Sequence, residues 1–295
     1  MDTFSSYQPV VNFMYFLMVI GSSMFFMHPV FLGLSLCAAM LYSFCLQREK
    51  AFRRILFGIF PVMLLMAVIN PVFSHKGATM LFYLKDGNPV TLESIVYGIV
   101  SGLMLAAVLL WCSCFHLVMT SDKVMYLFGK TIPAFSLLFS MTLRFVPRFT
   151  NQVRKVSQSQ RCIGRDVSSG KWSERALHGM KILSITTTWA LENSVETADS
   201  MKSRGYGLRG RTNYSIYRFT KRDAGILLFL GMFFLAFLYA AAKQWVSILY
   251  FPVFKMNENI PAAVLVYLGY GILCFLPVLL NGKEAVRWRY LRSKI

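Results

Sequence analysis

Six stretches of this chain contain no Asp, Glu, Lys or Arg: Val10 to Met27, Pro29 to Leu46, Ile55 to Phe73, Ser94 to Met119, Ala224 to Ala242 and Ile260 to Gly282. Each is near or above the ~18 residues that mark a helix able to cross a bilayer. In hydrocarbon the backbone has no water to bond to, so an apolar run of this length satisfies itself as a helix. The expected fold class is all-α: a polytopic integral membrane protein with about six transmembrane helices. Composition agrees. Charged residues are 15% of the chain and mean hydropathy is +0.52. A soluble domain carries about 25% charged residues.

His28-Pro29 makes the first hairpin tight, and Pro61 and Asn70-Pro71 are expected to kink or end the third helix. Orientation follows from the basic residues. All Lys and Arg except Lys76, Lys85, Lys243 and Lys255 lie on one side: after the second span, in block 120–222, and in the C-terminal tail. That asymmetry puts both termini and the central block in the cytoplasm, with the chain a multi-pass protein of the plasma membrane. Three regions result: helices 1–4 over 1–119, a cytoplasmic helical block over 120–222, and helices 5–6 with a basic tail over 223–295. The net charge of +18 then faces anionic lipid, so a nucleic-acid partner is not needed to explain it. Asp2 replaces a basic n-region and no small-residue cleavage pattern follows, so no cleavable signal peptide is expected.

The spans are informative by what they lack. Ion-coupled carriers place ionisable groups in the membrane, and these runs have none. His116 is the one candidate, near a helix end, where an interfacial histidine needs no special role. Ser94, Gly98, Gly102 and Ala106 recur at every fourth position of the fourth span. Such a stripe lets another helix approach closely. Two readings stand: packing within the chain, or docking of a partner membrane protein. The six cysteines read as small apolar fillers, and Cys112-Ser113-Cys114 is no metal spacing by itself. No cofactor or metal is expected on this chain.

Mechanics or chemistry must then sit in the central block. Thr131 to Leu143 is charge-free but too short to span, and fits a helix at the interface or under the spans. Arg148 to Arg165 reads as a separate basic amphipathic helix, with Phe149, Val153, Val156 and Ile163 at near-helical spacing. It ends at Ile163-Gly164-Arg165-Asp166. A second long helix starts near Trp172. Its expected packing stripe is Trp172, Ala176, Met180, Leu183, Thr187, Ala190, Ser194, Ala198 and Met201. Glu192, Glu196 and Asp199 fall off that stripe and are expected to form salt bridges with arginines of the preceding helix. They are poor candidates for catalysis, because no histidine, nucleophile or metal set accompanies them. Gly205 stops the helix, leaving Arg204 in the last turn, where the helix dipole favours a cation. Gly129-Lys130-Thr131 resembles part of a nucleotide loop, but Val124 stands where the pattern needs glycine and no strand precedes it.

Ser203-Arg204-Gly205 at a helix end, with Arg161-Cys162-Ile163-Gly164-Arg165-Asp166 before it, resembles the transmembrane T component of energy-coupling factor transporters, the EcfT and CbiQ-like family. Leu143-Arg144-Phe145-Val146-Pro147 and the run from Ala190-Leu191-Glu192-Asn193 to Tyr206-Gly207 look like the same family. The resemblance implies two crossing coupling helices, each ending in an X-Arg-X motif that docks on one of two ATP-binding cassette ATPase subunits. It also implies a separate small membrane subunit that binds a vitamin or metal ion, with ATP hydrolysis left to the partners. Ser203, Arg204 and Gly205 match the second motif. The first departs, because aligning Gly164 and Asp166 puts Ile163 at the arginine position. Arg161 or Arg165 is expected to substitute. The competing reading is a stand-alone secondary carrier, which would need polar sites in the spans.

Overall fold

A computed structural model describes residues 2–74, 77–83, 89–129, 132–168, 170–206, 208, 217, 219–243, 245, 248–250, 255–256 and 260–292. A 3₁₀ turn at Phe4–Ser6 leads into α1 (Pro9–Phe25), α2 (Pro29–Leu46), α3 (Arg48–Arg54), a π turn (Ile55–Ile59) and α4 (Phe60–Phe73). A short antiparallel pair, β1 (Met80–Tyr83) and β2 (Pro89–Thr91), precedes α5 (Leu92–Val118) and α6 (Ser121–Gly129). Then come α7 (Pro133–Cys162), α8 (Trp172–Ser203), α9 (Lys221–Ala242), the pair β3 (Ile248–Leu249) and β4 (Lys255–Met256), and α10 (Ile260–Arg292). The chain is an all-α polytopic membrane protein. Among the described residues five helices are long and apolar enough to cross a membrane, and α1, at 17 residues, is a shorter apolar helix beside them. Each of the six charge-free runs is thus helical over most of its length. The helices extend past them into charged residues, as at Arg53, Arg54, Glu93 and Asp223.

Proline punctuates these helices in three ways. Pro9 and Pro29 start α1 and α2, where a missing N–H costs nothing. Pro61 does not end the third span. The run before it widens into the π turn at Ile55–Ile59, which absorbs the break in the hydrogen-bond ladder. Asn70-Pro71 does mark an end, since α4 stops at Phe73. Thr131 to Leu143 and Arg148 to Arg165 were expected to be two helices, and here the structure differs. α7 is one helix of 30 residues with Pro147 inside it. Pro147 and Leu143, whose carbonyl it leaves without a helical donor, are both exposed, so water can take that carbonyl.

Contacts divide the chain into two units, Met1–Val124 with Tyr217–Ile295, and Met125–Ile216. In the first, α5 is central, packed by α1, α2 and α4, while α10 packs on α2. Gly98 and Gly102 admit the α4 backbone. A Cβ on Gly102 would lie 2.7 Å from the Met63 carbonyl oxygen, and one on Gly98 3.0 Å from that of Ala67. Ser94 and Ala106 complete the buried stripe, with the Ser94 hydroxyl donating to the Ser74 carbonyl. The stripe at Ser94, Gly98, Gly102 and Ala106 is therefore taken up within the chain and is not an open docking face for a membrane partner.

A thread of hydroxyls crosses the same core. Ser23 and Ser35 Oγ atoms lie 2.9 Å apart, Tyr270 OH is 3.1 Å from Ser23, and the Trp111 indole N–H donates to Ser35 at 2.9 Å. Four helices are thereby joined by polar atoms that satisfy one another, which is what a buried indole or phenol requires. The N-terminal segment is also bound. Asn281 Oδ1 accepts from the Thr3 and Phe4 N–H groups at 2.9 and 3.3 Å, and Asp2 accepts from Tyr42 OH at 2.8 Å. Buried Lys123 donates to the Ser5 carbonyl at 2.6 Å and the Val118 carbonyl at 2.9 Å. Burial lowers its pKa.

The second unit pairs α7 with α8. The Phe145 ring stacks on Trp189 at 6.2 Å and 18°, and the Arg148 guanidinium lies 5.8 Å above the same indole. The buried positions of α8 are Ile182, Thr186 and Asn193. The expected stripe through Trp172, Met180 and Leu183 is instead exposed, Trp172 at 85%. The period was legible but its phase was not, because α8 carries apolar residues on several sides.

Two tests follow from this packing. Gly102→Val should lower stability by about 1–3 kcal/mol, the usual cost of overpacking. It is read as a drop in the thermal midpoint in detergent, against Gly21→Ala, whose Cβ meets nothing within 4 Å. The second concerns His28, at the α1–α2 turn. Its Nδ1 accepts from the Val30 N–H at 3.3 Å and its Nε2 meets Tyr267 OH at 2.7 Å. Accepting at Nδ1 requires the neutral ring, and burial lowers the pKa below 6.5. The unfolded chain then binds more protons, so stability is full above pH 6.5 and is lost as pH falls through the lower folded value. His28→Asn should flatten the fall in thermal midpoint between about pH 7.5 and pH 5.

Candidate functional site

The two long helices of the central unit end alike. At the end of α7, the Gly164 N–H donates to the Arg161 carbonyl at 3.0 Å and the Arg165 N–H to that of Gln160 at 2.9 Å. At the end of α8, the Gly205 N–H donates to the Lys202 carbonyl at 3.0 Å and the Tyr206 N–H to that of Met201 at 3.1 Å. Both are Schellman motifs, with glycine in the left-handed region at φ +81° and +76°. The motif satisfies two of the four orphan carbonyls of each last turn with backbone donors, those of Gln160 and Arg161 and of Met201 and Lys202. The side chains at the tips are thereby left for other work.

Ile163 caps α7 (φ −93°, ψ 10°) and Arg204 caps α8 (φ −84°, ψ 3°), so the two occupy one backbone position. Both are exposed, Ile163 at 67%. Arg204 makes no ion pair among the described residues. Arg161 is two residues earlier, where α8 has Lys202. Its Nε pairs with Asp166 Oδ2 at 3.1 Å, though its side chain stays 73% exposed. Asp166 is in turn held by Ser168, whose hydroxyl donates at 2.6 Å and whose N–H donates at 3.0 Å. Those two bonds, with Arg161 adding, hold its carboxyl below the usual range. Arg175 Nε donates to the Val167 carbonyl at 2.7 Å, tying the turn to the first turns of α8. Arg165 follows Gly164 and is half-buried.

Ser203 donates back to the Ser200 carbonyl at 2.9 Å, so its hydroxyl is used locally. Of the three carboxylates, Asp199 pairs within its own helix with Lys202 at 3.8 Å. Glu192 and Glu196 are exposed, and among the described residues neither makes an ion pair with α7. His116 is exposed in the last turn of α5. Lys130 and Thr131 of the Gly-Lys-Thr run, and Gly207, lie outside the described residues. No group of three or more His, Cys, Asp or Glu suited to a metal occurs among the described residues.

Known proteins of the same kind are found over most of this region. The profile of the CbiQ family, described as cobalt transport protein, matches residues 4–214. The energy-coupling factor transporter transmembrane protein EcfT of Listeria innocua is 27% identical over 192 residues, covering 59% of this chain and 71% of that protein. The EcfT of Lactobacillus helveticus is 32% identical over 115 residues, 37% of this chain and 42% of its own length. That of Acidaminococcus fermentans is 32% identical over 162 residues, 50% and 60% of the two chains. The last two matches span about half the length of those relatives. With the family profile running from the first turn through both helix tips, the chain belongs to the CbiQ cobalt transport protein family, the transmembrane T components of energy-coupling factor transporters.

Proposed function

We propose that this chain transmits ATPase motion, through the tips of α7 and α8, to a separate substrate-binding membrane subunit that carries a vitamin or a transition-metal ion. The central unit then lies in the cytoplasm, as do both termini, in keeping with the distribution of lysine and arginine. Two ATP-binding cassette subunits hydrolyse ATP. This chain is not catalytic and binds no cofactor of its own.

The observation that carries this reading is Arg204. It stands at the end of a 32-residue helix, a rod about 48 Å long. Its backbone is fixed by the Schellman bonds, and its guanidinium is exposed. Such a fork makes bidentate, charge-assisted bonds to carboxylates lining a groove. A rod moves with whatever grips its end. An ATPase pair that changes separation on ATP binding would shift the rods, because its contacts to them differ between the two states. The packing of Phe145, Arg148 and Trp189 ties the two rods together at mid-length, so displacement at the tips becomes a change of angle.

Arg204→Glu should reduce ATPase co-purification at least about tenfold, since one charge-assisted pair becomes a repulsion. Arg204→Lys should fall between the two, as a point charge keeps attraction but loses the fork. Wild-type assembly and uptake in Arg204→Glu would count decisively against this role. So would solute uptake by the purified chain alone in liposomes, which is the behaviour of a secondary carrier.

A further inference from the structure

We propose that the first coupling tip docks through Ile163 rather than through an arginine, seating it in an apolar pocket of its ATPase subunit, while Arg204 seats in an acidic groove. The proposal rests on the coupling role given above and names the chemistry of the partner surface at one of the two tips.

The backbone comparison carries it. The bonds Gly164→Arg161 and Arg165→Gln160 repeat at Gly205→Lys202 and Tyr206→Met201. Superposed on these, Arg161 matches Lys202, Ile163 matches Arg204 and Arg165 matches Tyr206. The basic residue before each cap is paired with a carboxylate in both tips: Arg161 with Asp166, and Lys202 with Asp199. Arg161 is thus the counterpart of the flanking Lys202 and not of Arg204. Its partner Asp166 is fixed by two bonds from Ser168, so drawing Arg161 away leaves an ordered carboxylate unpaired. Arg165 is half-buried after the glycine, where the other tip has a tyrosine. Neither arginine occupies the cap.

Ile163 does, with two-thirds of its surface in water and glycine beside it. A Cβ on Gly164 would meet nothing within 4 Å, so this apex is open to an incoming surface. An acidic groove shaped for a guanidinium would lose its solvation against isoleucine and gain no partner, which is strongly unfavourable for a buried charge. The pocket that accepts Ile163 is therefore apolar and differs from the one that accepts Arg204.

The test uses the chain co-expressed with its ATPase subunits and purified from membranes, reading ATPase recovered per membrane subunit. The thermal midpoint of the isolated chain serves as a folding control. Ile163→Asp should lower recovery at least about tenfold, and Ile163→Leu should leave it near wild type. Arg165→Ala and Arg161→Ala should stay within about twofold. Wild-type recovery with Ile163→Asp would overturn the proposal, as would a loss with Arg165→Ala equal to that with Arg204→Glu. Undiminished recovery in Arg204→Glu would instead overturn the coupling role itself, and with it any docking at either tip.

Discussion

Close approach of two helix backbones, α4 on α5, is the contact around which the first unit is arranged. It depends on the absence of side chains at Gly98 and Gly102. In lipid no hydrophobic force favours one helix pairing over another, so packing and hydrogen bonding must do so. The glycines supply the first and the serine–tyrosine–tryptophan thread supplies the second. Together they fix α1, α2, α4, α5 and α10, and among the described residues no Asp, Glu, Lys or Arg lies in the middle of these helices.

The central unit uses a different physics. Its helices are rich in arginine and lysine and expose many apolar side chains, and their pairing relies on a few aromatic contacts. Termination matters more here than burial. A Schellman end satisfies two of the last carbonyls internally and fixes the backbone of the cap, so a set turn presents the cap side chain. Two tips built on one backbone can then differ in chemistry without differing in shape. That is the situation at Ile163 and Arg204, where the same turn presents a greasy apex on one rod and a cationic fork on the other.

Much of this was legible in the sequence because it rests on local rules. A charge-free run in a bilayer has little choice but helix, and Gly164 and Gly205 advertise the ends of α7 and α8. The small-residue stripe was legible as a close-packing face, though which helix filled it was not. What sequence reasoning missed depends on distant contacts or on compensation. The continuity of α7 through Pro147 follows from the exposure of that turn, which no local pattern reveals. The phase of α8 was misjudged because apolar residues on several sides leave the 3.6-residue period without a preferred direction. The equivalence of Ile163 with Arg204 is visible on aligning the two glycines. The pairing of Arg161 with Asp166 needed three dimensions.

The N-terminal residues reach far across the chain. Asp2, Thr3 and Phe4 are held by Tyr42 on α2 and Asn281 on α10, and Ser5 is held by Lys123 on α6. Lys123 also grips the last carbonyl of α5 at Val118. One ammonium group therefore works as a rivet at the point where the chain leaves α5. The end of α5 is thereby held against fraying by a side chain of the next helix and by the chain's own first residues.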